Sequence, residues 1–274
     1  CLDHDTTAAL IAGGMFDFVN FTGSVGGGRA MERAAAGTFT GVGTELGGKD
    51  PGYVMEDADL AAAVATLVDA AMYNSGQCCC GIERIYVHDS LYDEFVDRAV
   101  AMVNDYRLGN PLDEATTMGP MAHVRFAAHV RRQIDEAVAA GATAHIARMD
   151  GDDDGAFLTP QVLTDVTHDM EVMREESFGP VVGIMRVRGD DEAVAMMNDS
   201  RYGLTASLWT GDPDRAVAVG DLVETGTVFL TRADYLDPGL CWTGVKDTGR
   251  GGGLSVIGYH NLTRPKSYHL KKVT

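Results

Sequence analysis

At 274 residues, with 45% hydrophobic and 7% aromatic side chains, the chain is long enough for two domains with cores built mainly from Ala, Val, Leu and Met. Its 22 Lys and Arg against 40 Asp and Glu give a formal charge of −18, which opposes nucleic acid or an anionic membrane as a partner. No apolar run approaches the ~20 residues that span a bilayer, and Cys1-Leu2-Asp3-His4-Asp5 lacks the basic start of a secretory signal, so a soluble cytoplasmic protein is expected.

Taken in chain order, Phe16–Phe21 alternates apolar and polar residues as a strand does, and Gly23-Ser24-Val25-Gly26-Gly27-Gly28 then turns into a helical pattern over Arg29–Ala36. Leu60, Val64, Leu67 and Val68 recur at helical spacing behind Asp59, an N-cap residue type, predicting a helix from Asp59 to Tyr73. Ile82–Val87 reads as a strand. Ser90 and Asp93 resemble a capping box opening a helix over Leu91–Tyr106, which Gly109-Asn110-Pro111 stops. Phe126, Val130, Ile134 and Val138 mark a further helix ended by Gly141. Strands are predicted at Val181–Val187, Thr205–Thr210 and Gly226–Leu230, with helices at Glu192–Asn198 and Pro213–Gly220 between them and one more strand at Ser267–Val273. Strands alternating with helices define an α/β fold with a mainly parallel open sheet.

Three contiguous cysteines, Cys78, Cys79 and Cys80, follow the end of the Asp59–Tyr73 helix. Contiguous thiols are poorly placed to bridge one another, which points to a reducing compartment, and Cys241 does not supply the second ligand pair a zinc site requires. Small buried packing residues are one reading of the cluster, and a reactive thiol is the other. Glu45, flanked by the glycines of Thr44-Glu45-Leu46-Gly47-Gly48-Lys49, is the candidate base for such a thiol. The glycine turn at 23–28 is either a tight turn or a phosphate-binding turn at a helix N-terminus, and it does not match G-x-G-x-x-G in register. Gly244–Gly249 lacks the order of a P-loop. Asp150–Gly155 begins like a calcium loop but has Gln161 at the twelfth position, so it reads as an acidic surface turn. The acidic composition fits either a salt-adapted protein or an ordinary acidic enzyme.

Five stretches coincide in order and spacing along almost the whole chain: Phe21-Thr22-Gly23-Ser24, Glu45–Lys49, Gly76-Gln77-Cys78-Cys79, Glu175-Glu176-Ser177-Phe178-Gly179-Pro180 and Tyr202-Gly203-Leu204. In these the chain resembles the aldehyde dehydrogenase superfamily of NAD(P)-dependent enzymes. The resemblance implies Cys79 as the nucleophile and Glu45 as the general base. It implies Gly23, Ser24, Gly28, Leu46, Glu176 and Phe178 as the cofactor-binding set and NAD or NADP as the cofactor, with NAD preferred; no metal is expected, on the cysteine spacing above. It further implies an aldehyde-dehydrogenase-like division of the chain: 1–47 as the end of a Rossmann-like dinucleotide-binding domain, 48–247 as the catalytic domain, and 248–274 as a tail serving a homodimer or homotetramer. The sequence corresponds to roughly the C-terminal half of a member or a little more, so upstream sequence is expected. Thr231 stands where many members have Asn, and Cys241-Trp242-Thr243-Gly244 replaces the frequent Pro-Phe-Gly-Gly.

The reaction so implied oxidises an aldehyde to a carboxylic acid through a thiohemiacetal and a thioester on Cys79, with hydride passing to the cofactor. A cysteine-dependent thioesterase, or a truncated remnant acting only in assembly, are the competing expectations.

Overall fold

Two sheets meet where the chain crosses from one to the other, as seen in a computed structural model that describes residues 2–152, 155–233 and 235–272. The acidic turn at 150–155 and the end of the expected C-terminal strand therefore lie partly outside the described residues.

Asp3 accepts a hydrogen bond from the Thr6 N–H at 2.7 Å and so caps α1 (His4–Ala12). The glycine turn after β1 (Phe18–Thr22) leads into α2 (Val25–Ala35), which starts four residues earlier than the periodicity predicts, because Ser24 Oγ caps the Gly27 N–H and holds the glycines in the first turn. Strand β2 (Gly41–Glu45) runs parallel to β1, and Ile11, Met31 and Ala35 pack a small core against this pair.

Residues 46–49 then carry the chain into the larger sheet at β3 (Asp50–Val54). Helix α3 (Leu60–Met72) is capped by Asp59, as the sequence predicts, and β4 (Ile82–His88) follows beside β3. Helix α4 (Tyr92–Asn104) departs from expectation: Leu91 is its N-cap with no side-chain bond, and Ser90 Oγ instead lies 2.8 Å from His88 Nδ1. The remaining elements are α5 (Val124–Ala139), β5 (Thr143–Ala144), β6 (Gln161–Thr164), α6 (Glu171–Arg174), β7 (Val181–Val187), α7 (Asp190–Asn198), β8 (Thr205–Trp209), α8 (Pro213–Gly220), β9 (Thr227–Leu230), β10 (Gly249–Arg250) and α9 (Ser255–Asn261).

The large sheet has the order β5-β6-β7-β4-β3-β8-β9, parallel throughout except for the β5–β6 pair. This is the mainly parallel α/β architecture that alternating strands and helices predict. The small sheet is β1-β2-β10, closed by β10 pairing antiparallel to β2. The strand expected at Ser267–Val273 does not form: residues 267–272 are exposed and carry no regular structure. Among the described residues no helix is long and apolar enough to cross a membrane.

This topology sets one geometry that matters for function. Segments 47–49, 76–80, 175–180 and 202–204 all sit at the N-terminal ends of strands in the large sheet, immediately before β3, β4, β7 and β8. The glycine turn and Glu45 sit at the C-terminal ends of β1 and β2. The motif residues therefore converge on the seam between the two sheets.

Candidate active site

Cys79 is reached through a left-handed turn. Asn74, Ser75 and Gly76 take φ values of 51°, 57° and 71°, a conformation costing about 1–3 kcal/mol at each non-glycine position unless surrounding contacts impose it. Those contacts are present. Ser75 Oγ donates to Gly119 O at 2.8 Å, Gln77 Oε1 accepts from the Ala122 N–H at 2.8 Å, and the Asn74 and Gln77 side chains each donate to the other's backbone carbonyl. At Gly76 a Cβ would stand 2.1 Å from the Gly179 carbonyl oxygen, so the segment before the cysteines lies directly on the Phe178-Gly179-Pro180 segment. Cys80 is buried, Cys78 and Cys79 are half-buried, and the Cys78 and Cys80 sulfurs are 3.7 Å apart.

A cavity of about 870 Å³ opens beside these residues, lined by Cys79 and Glu45 together with Cys78, Cys80, Leu236, Trp242 and Arg250. The sequence-predicted nucleophile and base thus face one space from different segments. A Cβ on Gly253 would come within 2.8 Å of a Glu45 carboxylate oxygen, so the backbone of residue 253 forms the wall behind that acid.

The glycine pair after Glu45 has a separate purpose. At Gly47 a Cβ would stand 2.1 Å from Glu176 Oε1, and at Gly48 it would stand 2.8 Å from the Cys79 carbonyl oxygen. Only glycines let these three motifs touch. The Gly48 N–H donates to Glu176 Oε1 at 3.2 Å. Burial, helped by the nearby Glu83 charge, pushes the Glu176 carboxyl up to about 7, with the Gly48 bond and Lys49 opposing.

The remaining predicted cofactor residues fall into three sets. Gly23 and Ser24 form the turn at the start of α2, whose first N–H groups have no partner within the helix and so suit an anionic phosphate. Phe178 follows Glu176 with φ 50° and a partly exposed ring. Gly28 and Leu46 instead pack on each other: a Cβ on Gly28 would lie 2.8 Å from Leu46, so glycine there brings α2 close to the crossing segment. None of the six lines the cavity that holds Cys79. The Gly23 N–H is taken by Glu45 O at 3.1 Å, so a dinucleotide fits this arrangement through the first turn of α2, with a half-buried carboxylate at 176 on the other side of the seam.

Two further groups escaped sequence reasoning. Thr248 Oγ1 donates to Gly47 O at 2.8 Å and accepts from the Gly203 N–H at 3.0 Å, stitching two motifs together from within the segment that resembled a broken P-loop. Lys49 and Ser177, from two of the motifs, form a buried polar network with Glu83 of β4. Among the described residues no cluster of three or more His, Cys, Asp or Glu side chains is placed to hold a metal ion.

The chain matches the Aldehyde dehydrogenase family over residues 2–268 and belongs to that family. It is 37% identical to the geranial dehydrogenase of Castellaniella defragrans over 269 residues, covering 98% of this chain and 56% of that protein. It is also 37% identical to the NADP-dependent succinate-semialdehyde dehydrogenase of Mycobacterium avium over 246 residues, covering 90% of this chain and 52% of that protein. Among solved structures, lactaldehyde dehydrogenase from Escherichia coli superposes with a TM-score of 0.88 at 34% identity, over 93% of this chain and 54% of that one. Betaine aldehyde dehydrogenase from Staphylococcus aureus, in complex with NAD+, superposes with a TM-score of 0.87 at 32% identity, over 92% and 51%. The chain spans about half the length of the curated relatives it matches.

Proposed function

We propose that the whole protein oxidises an aldehyde to a carboxylic acid, with Cys79 as nucleophile, Glu45 as general base and NAD or NADP as hydride acceptor. The observation that carries this reading is that Cys79 and Glu45, from separate segments, line one cavity. The Cys79 thiolate attacks the carbonyl carbon, and the oxygen of the resulting thiohemiacetal is stabilised by the Cys79 backbone N–H. The bound nicotinamide supplies the acceptor for the hydride. Glu45 takes a proton from the water that cleaves the Cys79 thioester, and the carboxylate departs. Glu176 and Phe178 hold the nicotinamide side of the cofactor, while Gly23 and Ser24 meet its pyrophosphate, with Gly28 and Leu46 shaping that turn from below.

On this reading residues 1–47 belong to the cofactor-binding side, 48–247 to the catalytic domain and 248–274 to an assembly segment. The protein works in the cytoplasm as a homodimer or homotetramer, and its acidic surface is an adaptation to salt.

The test is kinetic. Cys79→Ser reduces aldehyde-dependent NAD(P)H formation to background. Glu45→Gln keeps a pre-steady-state burst of NAD(P)H but slows turnover by about 10²–10⁴-fold, the usual worth of a general base. Substantial NAD(P)H formation by Cys79→Ser would remove the nucleophile assignment, and loss of the burst in Glu45→Gln would remove the hydrolytic role. Thioester cleavage by cofactor-free enzyme, at rates comparable to aldehyde oxidation, would favour a hydrolase instead.

A further inference from the structure

Glu83 has no part in the chemistry above, yet it is the point where two motifs, Glu45–Lys49 and Glu175–Pro180, meet β4. It lies in β4, four residues after Cys79, and is 4% exposed. Its carboxylate takes Lys49 Nζ at 2.5 Å, the Ser177 N–H at 2.8 Å and the Phe178 N–H at 2.9 Å. Lys49, itself 1% exposed, also donates to Ser177 Oγ at 3.0 Å.

Two successive backbone N–H groups converging on one anion form a backbone nest, a geometry that neither an amide nor an apolar side chain fully satisfies. The nest coincides with strain. Phe178 is held at φ 50°, a region bulky side chains avoid unless their surroundings impose it, and the bond from its N–H to Glu83 is a contact that imposes it. Lys49 balances the charge, as a buried carboxylate requires.

We propose that Glu83 is a positioning residue: it fixes the turn at 176–178 relative to Cys79, so that Glu176 and Phe178 are presented to the cofactor while the nucleophile stays in register with them. The proposal rests on the dehydrogenase reading for what that turn presents. Its structural half stands on the nest alone. Glu83 is the extra residue at the register shift between β3 and β4, and its neighbours Ile82 and Arg84 pair with Asp50 and Pro51, so a side chain four residues from Cys79 gives the turn a fixed reference. The same carboxylate adds negative charge beside Glu176, which Lys49 offsets.

The test compares two double variants of the full-length protein. Lys49→Met/Glu83→Met removes both charges and the acceptor, whereas Lys49→Met/Glu83→Gln removes both charges but keeps one acceptor oxygen. Removing the pair together avoids stranding a buried charge. In the Met pair, hydrogen exchange at the Ser177 and Phe178 amides quickens at least about tenfold. Cofactor KM rises at least about tenfold while aldehyde KM stays within about threefold, and the Gln variant recovers part of both changes. Wild-type exchange and wild-type cofactor KM in a folded Met pair would overturn the proposal, as would equal impairment of the two variants. Should the Met pair not fold, the Gln variant decides: quickened exchange confined to 176–178 supports positioning, and exchange quickened equally through β3 and β4 overturns it. A wild-type enzyme that forms no NAD(P)H from any aldehyde overturns the dehydrogenase reading, while the exchange measurement still judges Glu83.

Discussion

On the proposed reading Glu176 combines two demands that ordinarily conflict, because a carboxyl that receives cofactor hydroxyls accepts best when ionised, whereas burial favours the neutral acid. Burial is the largest of the causes that push its carboxyl from the ordinary 4.5 up to about 7. The folded state therefore binds more protons than the unfolded state between those values, and stability falls as pH rises through the window. Glu176→Gln keeps the acceptor for the Gly48 N–H and removes the penalty. It is expected to raise stability by up to about 3 kcal/mol at pH 8 and by much less at pH 5. Denaturant unfolding at the two pH values checks this, and an equal effect at both would show that ionisation is not the cause. Gly47 makes the complementary point. A methyl at that position needs the space of Glu176 Oε1, so Gly47→Ala displaces the carboxylate. Losing one charged hydrogen bond costs about 1.5–3 kcal/mol, so cofactor KM should rise at least about tenfold. A steady-state KM within twofold of wild type would show that the carboxylate is displaced harmlessly.

Helix α3 and strand β3 are the supports on which the cysteine turn rests. Leu67 of α3 is fully buried and lies so close to β3 that a Cβ on Gly52 would stand 2.7 Å from it. Leu67→Ala should therefore cost about 2–5 kcal/mol in denaturant unfolding, the range for a core leucine whose cavity closes only partly. A loss below 1 kcal/mol would mean that the helix settles onto β3. Leu67 was also among the residues whose helical spacing predicted α3 from the sequence, and α5, β4 and β7 were legible for the same reason: a long run of one period has one interpretation. Strand β3 was not. Pro51 cannot donate to a ladder and argues against a central strand, but here a register shift falls between Asp50 and Pro51 and absorbs the missing N–H. The tail at 267–272 looked strand-like by residue type, yet no partner edge receives it. Glu45 and the cysteine cluster stood out by residue type and flanking glycines, whereas the choice of Cys79 among three thiols and the expected roles of residues 176 and 178 came only from the shared order of the motifs. Lys49, Glu83 and Ser177 were invisible as a group, because charged residues far apart in sequence carry no signal of mutual burial.

The two sheets are joined by charge as well as by the crossing segment at 46–49. Asp247 binds Arg29 of α2 at 2.9 Å and Arg201 at 2.7 Å, and Arg201 reaches Glu175 at 3.3 Å, so ion pairs run from the glycine-turn helix to the residue beside Glu176. These pairs are partly exposed, and each contributes only about 0–1 kcal/mol. Against them stands a formal charge of −18, whose self-repulsion acts over the whole surface. Salt weakens both terms, but they differ in range. A contact pair survives at a screening length of about 8–10 Å, whereas repulsion among scattered carboxylates is cut sharply between 0.01 and 0.3 M salt, where that length falls from about 30 Å to below 8 Å. Repulsion should dominate, so the melting temperature is expected to rise by several degrees as NaCl increases across that interval. The interval separates screening from solute exclusion, which needs higher concentrations and is stronger for sulfate than for chloride. Differential scanning calorimetry at fixed pH reads the effect directly. A falling melting temperature over that range would mean that the ion pairs outweigh the repulsion, and a flat one that the two cancel; either would overturn the expectation that the acidic surface gains from salt.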